Sequence, residues 1–186
     1  DERVARWSRR VTIAFAVLFL FVVCRWRPWD LFARGGFSAD FYDSQAHAFW
    51  RLHLDVPATA AGMEGFLIDG KTYLYYGPTL AIARMPFALL GHWADGRLVA
   101  VSLVAGFVAL CTAAFHLALE ARHALTAMRP DRDASHDHWR VAGFVAAVAC
   151  SPALFLTGWV SVYHETELWA AVFITAAMVH TLALWR

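Results

Sequence analysis

Several side chains able to carry out acid–base chemistry share one face of a helix predicted over residues 40–53. At 100° per residue, an arc of about 100° contains Asp40, Asp43, Ser44, His47 and Arg51. A carboxylate on such a face can take the proton of an attacking hydroxyl as a general base. The alternative is a solvated face whose members only pair at i,i+4. The pattern predicts an amphipathic helix lying on a membrane, with Ser38 as its N-cap.

A short β-hairpin is predicted after this helix. Asp69-Gly70 separates an apolar run from an aromatic run and is typical of a type I′ turn. Gly77-Pro78 then ends the second strand and begins a helix. Glu64 at the base of the hairpin and Lys71 at its turn are candidate binding residues. A hairpin that only covers the helices, with Lys71 solvated, is the alternative.

Arg84 lies inside a short apolar segment, residues 78–90, which also contains Pro86. The segment is too short to span a bilayer, so we interpret it as an interfacial or re-entrant helix. A buried arginine needs an anionic partner, and either a lipid phosphate or a carboxylate would serve. The alternative is that Arg84 reaches out to the lipid headgroups.

A second polar patch, Tyr163-His164-Glu165, falls between the last two apolar segments. It is predicted to form the tip of a helical hairpin, on the same side of the membrane as Asp40 and Asp43. The alternative for Glu165 is a simple electrostatic role at a helix N-terminus, where the helix dipole favours acids.

The elements that must position these residues are those of an all-α membrane protein. Hydrophobic residues make up 60% of the 186 residues, and the mean hydropathy is +0.47, which is high for a soluble domain. About four transmembrane helices are predicted, over residues 7–26, 98–119, 141–160 and 169–185. The chain is thus predicted to have three regions. Residues 1–26 form a cytoplasmic start and first span, residues 27–97 a long outer loop, and residues 98–186 three further spans.

The distribution of charge gives the predicted orientation and excludes some functions. Four arginines before the first span place the N-terminus in the cytoplasm: Arg3, Arg6, Arg9 and Arg10. The loop and the 161–166 tip then share the outer face. A net charge of +1, mixed along the chain, gives no indication of nucleic-acid binding. The three cysteines lie in separate apolar segments and lack the spacing of a metal site. His136-Asp137-His138 resembles a metal-binding tract, but it falls in the predicted cytoplasmic connector without a scaffold, so no metal ligands are assigned.

Three stretches of the loop resemble bacterial membrane glycosyltransferases of the GT-C type: Gly36 to Ala46, Glu64-Gly65-Phe66, and Gly70 to Pro78. Tyr163-His164-Glu165 is similar to a recurring patch in such proteins. The resemblance implies a multi-pass protein of the bacterial plasma membrane. It also implies transfer of a sugar from a polyprenyl-phosphate donor to a cell-envelope glycan or lipid acceptor, with Asp40 or Asp43 as the catalytic acid position.

Under this resemblance the leaving group is a lipid phosphate, which needs positive partners such as Arg84, Arg51 or Lys71. The expected substrate-binding residues are Glu64, Lys71, Tyr73, Tyr75, Arg84, His47, Arg51, His164 and Glu165. A second acid would position the acceptor or hold a divalent cation, and hard oxygen ligands would suit magnesium or manganese. No cofactor is specified by the sequence.

Other classes of function stay open. GT-C enzymes have many more helices, so the chain is expected to be either a piece of a longer protein or a reduced homologue. A non-catalytic membrane subunit or assembly factor, whose loop docks a partner protein, is the main alternative. A transporter is less favoured, because the spans contain few ionisable residues other than His116 and His180.

Overall fold

A computed structural model describes residues 2–36, 38–131, 133–156 and 160–185. The chain is mostly helical, with one two-stranded antiparallel sheet. Its elements are α1 (Glu2–Val23), α2 (Phe41–Trp50), α3 (Ala58–Ala61), β1 (Gly65–Ile68), β2 (Lys71–Leu74), α4 (Thr79–Ala88), α5 (Val99–Met128), α6 (Asp137–Ala149), α7 (Pro152–Leu156) and α8 (Val162–Leu184). Short 3-10 turns cover Pro28–Phe32, Gly62–Glu64 and Gly91–Ala94.

Two helices of the described residues are long and apolar enough to cross a membrane. They are α5, with 30 residues, and α8, with 23 residues. The 22-residue helix α1 has sufficient length, but its first half carries the four arginines of the N-terminal segment. Four transmembrane helices were predicted, and the length and composition of the helices support two.

The predicted third span, residues 141–160, is not one continuous helix. Helix α6 ends at Ala149, and α7 begins at Pro152. Proline lacks an N–H group and clashes with the preceding turn, so a helix usually stops before it. Residues 157–159 lie outside the described part of the chain. The 13 residues of α6 are too few to span a bilayer core by themselves.

The bundle consists of two parallel pairs of helices, and the two pairs run in opposite directions. Trp7 and Trp139 meet near the starts of α1 and α6, with ring centroids 4.6 Å apart, so these two helices run the same way. Near the starts of α5 and α8, Trp169 Nε1 donates to Ser102 Oγ at 3.0 Å. Phe19, late in α1, stacks on Phe107, early in α5, at 4.0 Å. The α5–α8 pair therefore runs against the α1–α6 pair.

Helix α8 keeps much of its apolar surface exposed. Phe173, Ile174 and Met178 are all more than half exposed, at 51%, 64% and 51%. Large exposed apolar surfaces mark helices that contact lipid or another protein. This exposure and the apolar composition of α5 and α8 are the features that indicate association with a membrane.

Residues 28–36 and 38–97 form a layer, here called the cap, at the end of the bundle where α1 ends and α5 and α8 begin. The chain enters and leaves the cap at a neck, where Gly35 N–H donates to the carbonyl of Gly96 at 2.7 Å. A Cβ atom on Gly35 would lie 2.7 Å from the Cβ of Ala39, so the neck requires glycine at this position. Gly96 has a φ of +71°, which also favours glycine.

The cap contains the predicted helix, but with different boundaries and surroundings. Helix α2 covers Phe41–Trp50 instead of 40–53, and Asp40 takes the N-cap position predicted for Ser38. The prediction for Ser38 was wrong, because this residue has a φ of +54° in the turn before the helix. Most of α2 is buried, since Phe41 and Tyr42 pack against Leu80 and Ala81 of α4. It is a core helix of the cap, not one with a single buried face.

The hairpin prediction is confirmed. Strands β1 and β2 pair antiparallel with Ile68 opposite Lys71. Asp69 and Gly70 have φ values of +50° and +76°, as a type I′ turn requires. The short helix predicted over 78–90 is also present, as α4, with Pro86 inside it.

Candidate functional site

Helix α2 divides the candidate residues between its two sides. Asp43 faces α4 and α8 and is 3% exposed. Asp40, Ser44, His47 and Arg51 line an open cavity on the other side. The sequence predicted all five on one face, and the structure separates Asp43 from the rest because α4 and α8 cover that edge of the helix. The two sides must be considered separately.

On the buried side, Arg84 of α4 bridges two carboxylates from different parts of the chain. Its Nη2 donates to both carboxylate oxygens of Glu165 at 2.7 Å. Its Nη1 lies 3.2 Å from Asp43 Oδ2, an ion pair that lacks the alignment of a hydrogen bond. The three side chains, here called the Arg84 triad, are at most 5% exposed. The triad connects α2, α4 and α8.

Neighbouring groups hold the triad in place. Gly96 N–H donates to Asp43 Oδ2 at 2.8 Å, so the neck of the cap also contacts the triad. The Arg84 guanidinium lies 5.5 Å from the ring centroid of Tyr42, within cation–π range. The Tyr42 hydroxyl is 2.7 Å from Thr166 Oγ1 on α8. The first two contacts hold the triad within the cap, and the contact between Tyr42 and Thr166 joins the cap to the start of α8.

The titration behaviour of the triad follows from its burial and its charge. Burial raises the pKa of the Asp43 carboxyl, and the attraction of Arg84 only partly opposes this rise. Burial would lower the pKa of Arg84, but the nearby carboxylates Glu165 and Asp43 reverse this effect and raise it. One guanidinium thus serves two carboxylates in a dry site. With side chains at most 5% exposed, the group joins three helices and offers little surface to a ligand.

On the open side, the cavity next to α2 has a volume of about 600 Å³. Its walls come from α2, from the chain that follows it and from the 3-10 turn before α5. The lining residues are Asp40, Ser44, His47, Ala48, Arg51, His53, Asp55, Val56, Pro57, His92 and Asp95. Three carboxylates, three imidazoles and one guanidinium therefore face the same space. A volume of this order accommodates a small polar ligand.

Asp40 is the most accessible carboxylate of α2. Its side chain is 38% exposed, and its nearest cation is Arg34, with Nη2 at 3.7 Å from Asp40 Oδ2. At this distance the pair is loose and exposed, so it contributes little to stability. The carboxylate oxygens of Asp40 thus remain available to accept a hydrogen bond from a ligand.

Deeper along the same wall, two histidines meet one carboxylate. His47 Nε2 lies 3.0 Å from Asp95 Oδ1, and His92 Nδ1 lies 2.7 Å from Asp95 Oδ2. The two imidazole rings are 4.7 Å apart. His92 and Asp95 were not singled out by the sequence, which assigned no metal ligands anywhere. The i,i+3 spacing of His92 and Asp95, just before the start of α5, was the signal available.

The candidates on the hairpin form a separate group. Glu64 accepts hydrogen bonds from the hydroxyls of Tyr75, at 2.7 Å, and Tyr163 on α8. These two hydrogen bonds, with that from Tyr163 first, lower the pKa of Glu64. They attach the hairpin to the start of α8. Glu64 and Tyr75 are therefore placed outside the α2 cavity, in a cluster whose evident role is to connect two elements.

The remaining candidates are dispersed. Lys71 Nζ lies 3.8 Å from Asp55 Oδ1, behind the cavity wall, and is mostly exposed. Tyr73 lies on β2 opposite Phe66. His164 lines a different, mainly apolar cleft between α6 and α8. The structure does not bring Lys71, Tyr73 and His164 together with Asp40.

Comparisons of the chain with protein families, curated proteins and solved structures found no match. What the chain does must therefore be inferred from the side chains on the two sides of α2. The buried side is closed, with its charged groups facing one another. The open side, with Asp40, Arg51 and the histidines around one cavity, is the candidate functional site.

Proposed function

We propose that this chain is a membrane glycosyltransferase, or the N-terminal portion of one. In this proposal it moves a sugar from a polyprenyl-phosphate donor to a cell-envelope acceptor in the α2 cavity. The observation that carries the proposal is the different placement of two neighbouring acids. Asp40 faces the 600 Å³ polar cavity, whereas Asp43 is sealed against Arg84. Of the two catalytic candidates, the proposal therefore selects Asp40.

Asp40 would act as the general base. An acceptor hydroxyl within hydrogen-bond reach would pass its proton to the carboxylate while its oxygen bonds to the anomeric carbon. The bond from that carbon to the lipid phosphate oxygen breaks, and the phosphate leaves with the electron pair. One carboxylate acting as base, without a covalent intermediate, corresponds to inversion at the sugar carbon.

The departing phosphate is anionic and needs a positive partner. Arg84 was the first candidate for this role, but both of its terminal nitrogens face protein carboxylates. Arg51, exposed at the end of α2, lines the cavity and supplies a guanidinium suited to bidentate contact with phosphate. The proposal thus moves the phosphate-binding role from Arg84 to Arg51.

The surroundings of the cavity suit a lipid-linked substrate. Trp50, Leu52, Leu54 and Trp93 are exposed on the same part of the cap, and Leu52 is 95% exposed. Exposed tryptophan and leucine of this kind favour the interfacial region of a bilayer. The proposal places the cap on the outer face of a bacterial plasma membrane, with a cytoplasmic N-terminus and multiple spans.

The test compares Asp40→Asn with Asp43→Asn. Each variant is reconstituted in liposomes with a polyprenyl-phosphate-sugar donor and an acceptor lipid, and transfer is measured by release of polyprenyl phosphate. We expect Asp40→Asn to lower the rate by about 10²–10⁴-fold, the usual contribution of a general base. Asp43→Asn should keep most of the activity, because its carboxylate does not reach the cavity.

Asp55→Asn is the matched control, because Asp55 is another carboxylate that lines the same cavity and lies beside His53 and Lys71. Its rate should stay within a few-fold of that of the unmodified protein. Absence of transfer by the unmodified protein would contradict the proposal. So would equal rates for the Asp40 and Asp43 variants.

A second candidate function, a non-catalytic membrane subunit, is favoured by the surface of the hairpin. Phe66, Leu67 and Ile68 are consecutive and exposed by 57%, 75% and 55%. A short apolar strand on the surface suits docking of a partner protein. Under this alternative, replacing Leu67 with lysine would release a stoichiometric partner that copurifies with the chain. Retention of the partner in that variant would count against docking at the hairpin.

A further inference from the structure

Three metal-ligating side chains converge on the wall of the α2 cavity. His47, His92 and Asp95 each present one ligand atom, and these atoms lie within 4.8 Å of one another. Both histidines lie close to Asp95, with His92 Nδ1 2.7 Å from Oδ2 and His47 Nε2 3.0 Å from Oδ1. The two histidines are provided by different elements of the cap, α2 and the turn before α5.

The fold holds two of these ligands firmly. His47 lies on α2, whose Trp50 Nε1 donates to the carbonyl of Met85 on α4 at 2.7 Å. Asp95 directly precedes Gly96, whose N–H and carbonyl are both engaged at the neck of the cap. The side chains of His47 and Asp95 are 16% and 18% exposed. His92, 76% exposed, is the ligand that can move.

We propose that His47, His92 and Asp95 form a binding site for a divalent transition-metal ion of the zinc class. Two imidazoles and one carboxylate are a common ligand set for a zinc ion that keeps one coordination position open. Ligand atoms around tetrahedral zinc lie roughly 3.3 Å apart, given bonds of about 2.0 Å. The present spacing is close to this arrangement and requires a shift mainly of His92.

The ligand types select the class of metal. Imidazole nitrogens suit zinc, cobalt, nickel, copper and iron, whereas magnesium and calcium prefer oxygen ligands. The magnesium or manganese expected from the acids of α2 is therefore not the ion that this cluster favours. The fourth position would face the cavity that also contains Asp40 and Arg51. An anionic oxygen of a ligand would complete the coordination there.

Two hydrogen bonds to Asp95 are the alternative explanation of the same geometry. The hydrogen-bonded arrangement requires no metal and predicts no stoichiometric metal binding. The two explanations also differ on His92. A mostly exposed histidine contributes little to stability, but as one of three ligands its loss would weaken metal binding strongly.

The inference does not depend on sugar transfer, although the metal would share the cavity of the proposed function. Its test therefore measures metal binding alone. If the chain binds the ion but transfers no sugar, the proposed function fails and the metal site stands. If a chain that binds no ion transfers sugar, the metal site fails and the proposed function stands.

The experiment titrates the full chain, purified in detergent through a tag without histidine and stripped with a chelator. The probe is Co²⁺, whose visible absorption reports four- or five-coordinate nitrogen and oxygen sites. We expect one equivalent to bind, Zn²⁺ to displace it and Mg²⁺ to leave it in place. His47→Ala, His92→Ala and Asp95→Asn should each weaken binding by about tenfold or more.

His53→Ala is the matched control, because His53 lines the same cavity but pairs with Asp55 instead. Its affinity for Co²⁺ should equal that of the unmodified chain. His92→Ala keeps the test decisive, since an exposed side chain can be removed without unfolding the cap. The proposal is overturned if the unmodified chain binds no stoichiometric Co²⁺. It is also overturned if His92→Ala binds as well as His53→Ala, or if Mg²⁺ displaces Co²⁺.

Discussion

The two sides of α2 contain the same kinds of residues in different surroundings. The Arg84 triad has two carboxylates and a guanidinium that are at most 5% exposed. The α2 cavity has carboxylates, imidazoles and a guanidinium that water can reach. Asp43 and Asp40 are three residues apart, yet one is shielded by α4 and α8 and the other opens to solvent. Exclusion of water, more than residue type, separates the structural charges from those available for chemistry.

The two sides of α2 also differ in the free energy of placing charges there. Removing charges from water is unfavourable, and the attraction between them offsets that loss only when the geometry is good. In the triad both oxygens of Glu165 accept from Arg84, while Asp43 depends on a looser contact and on Gly96 N–H. The cavity groups also form pairs, but they face an open space and most are more exposed than the triad. The triad should therefore dominate stability, and the cavity should dominate binding.

The largest expected effect on stability comes from Arg84→Met. Methionine keeps an apolar stem but leaves Asp43 and Glu165 buried without a cation. Breaking a buried ion pair in this way costs about 3–5 kcal/mol. The free energy of unfolding, measured by denaturant titration in detergent, should fall by this amount.

Arg51→Met is the control for this substitution, because Arg51 is exposed at the cavity. Its effect should stay within about 0.5 kcal/mol. Combining Arg84→Met with Asp43→Asn and Glu165→Gln should recover part of the loss, since the uncompensated charges are then removed. Equal effects of Arg84→Met and Arg51→Met would refute the division between buried and open sides.

A smaller effect is expected in the pH dependence of stability. The pKa of Asp43 is raised in the folded protein above its ordinary value of 3.8, first of all by burial. Across the window above 3.8 the folded form holds a proton that the unfolded form has released. Stability from this group is therefore lost as pH rises through that window.

Asp43→Asn removes this contribution and should flatten the profile. Thermal unfolding of the two proteins, followed from about pH 4 to pH 7 by circular dichroism, gives the comparison. The melting temperature of the unmodified protein should fall relative to that of the variant as the pH increases. If the melting temperature falls more steeply with pH in the variant, Asp43 is stabilised in its charged form, and its pKa is not raised in the folded protein.

The smallest expected effect on stability is that of Asp40→Asn. The Asp40 side chain makes no capping hydrogen bond in α2, and its ion pair with Arg34 is loose at 3.7 Å. The free energy of unfolding should change by less than about 0.5 kcal/mol. A loss of sugar transfer in a variant of unchanged stability would assign Asp40 to chemistry, whereas a large loss of stability would place it with the triad.

The sequence predicted local structure better than burial. The type I′ turn at Asp69-Gly70 and the short helix α4 follow from turn chemistry and chain length, which act over a few residues. The helical face shared by Asp40 and Asp43 was also read from periodicity. Periodicity could not show that α4 and α8 cover Asp43 and leave Asp40 open, because the covering residues are distant in sequence.

The same limit applies to the site and to the spans. Arg84 was expected to need an anion, but neither of its two protein partners could be specified, since Glu165 is 81 residues away. His92 and Asp95 were missed because their partner His47 lies on a different element. The interruption at Pro152 was available from the sequence, yet the apolar run around it favoured a single helix. Hydropathy reports composition, whereas helix continuity depends on backbone hydrogen bonds.

The neck between Gly35 and Gly96 holds the two ends of the cap together, and this affects which insertions the cap can accept. Hydrogen bonds from Gly35 N–H to the Gly96 carbonyl at 2.7 Å and from Arg97 Nη1 to the Phe32 carbonyl at 3.2 Å join the points where the chain leaves and rejoins the bundle. Lengthening a surface segment inside such a closed excursion adds only a little to the entropy of closure, about 0.6 kcal/mol for each doubling of the loop. The helices beneath can keep their spacing while new segments are inserted above them. Insertions into exposed segments of the cap should therefore be tolerated where they leave the neck and the contacts with α8 unchanged.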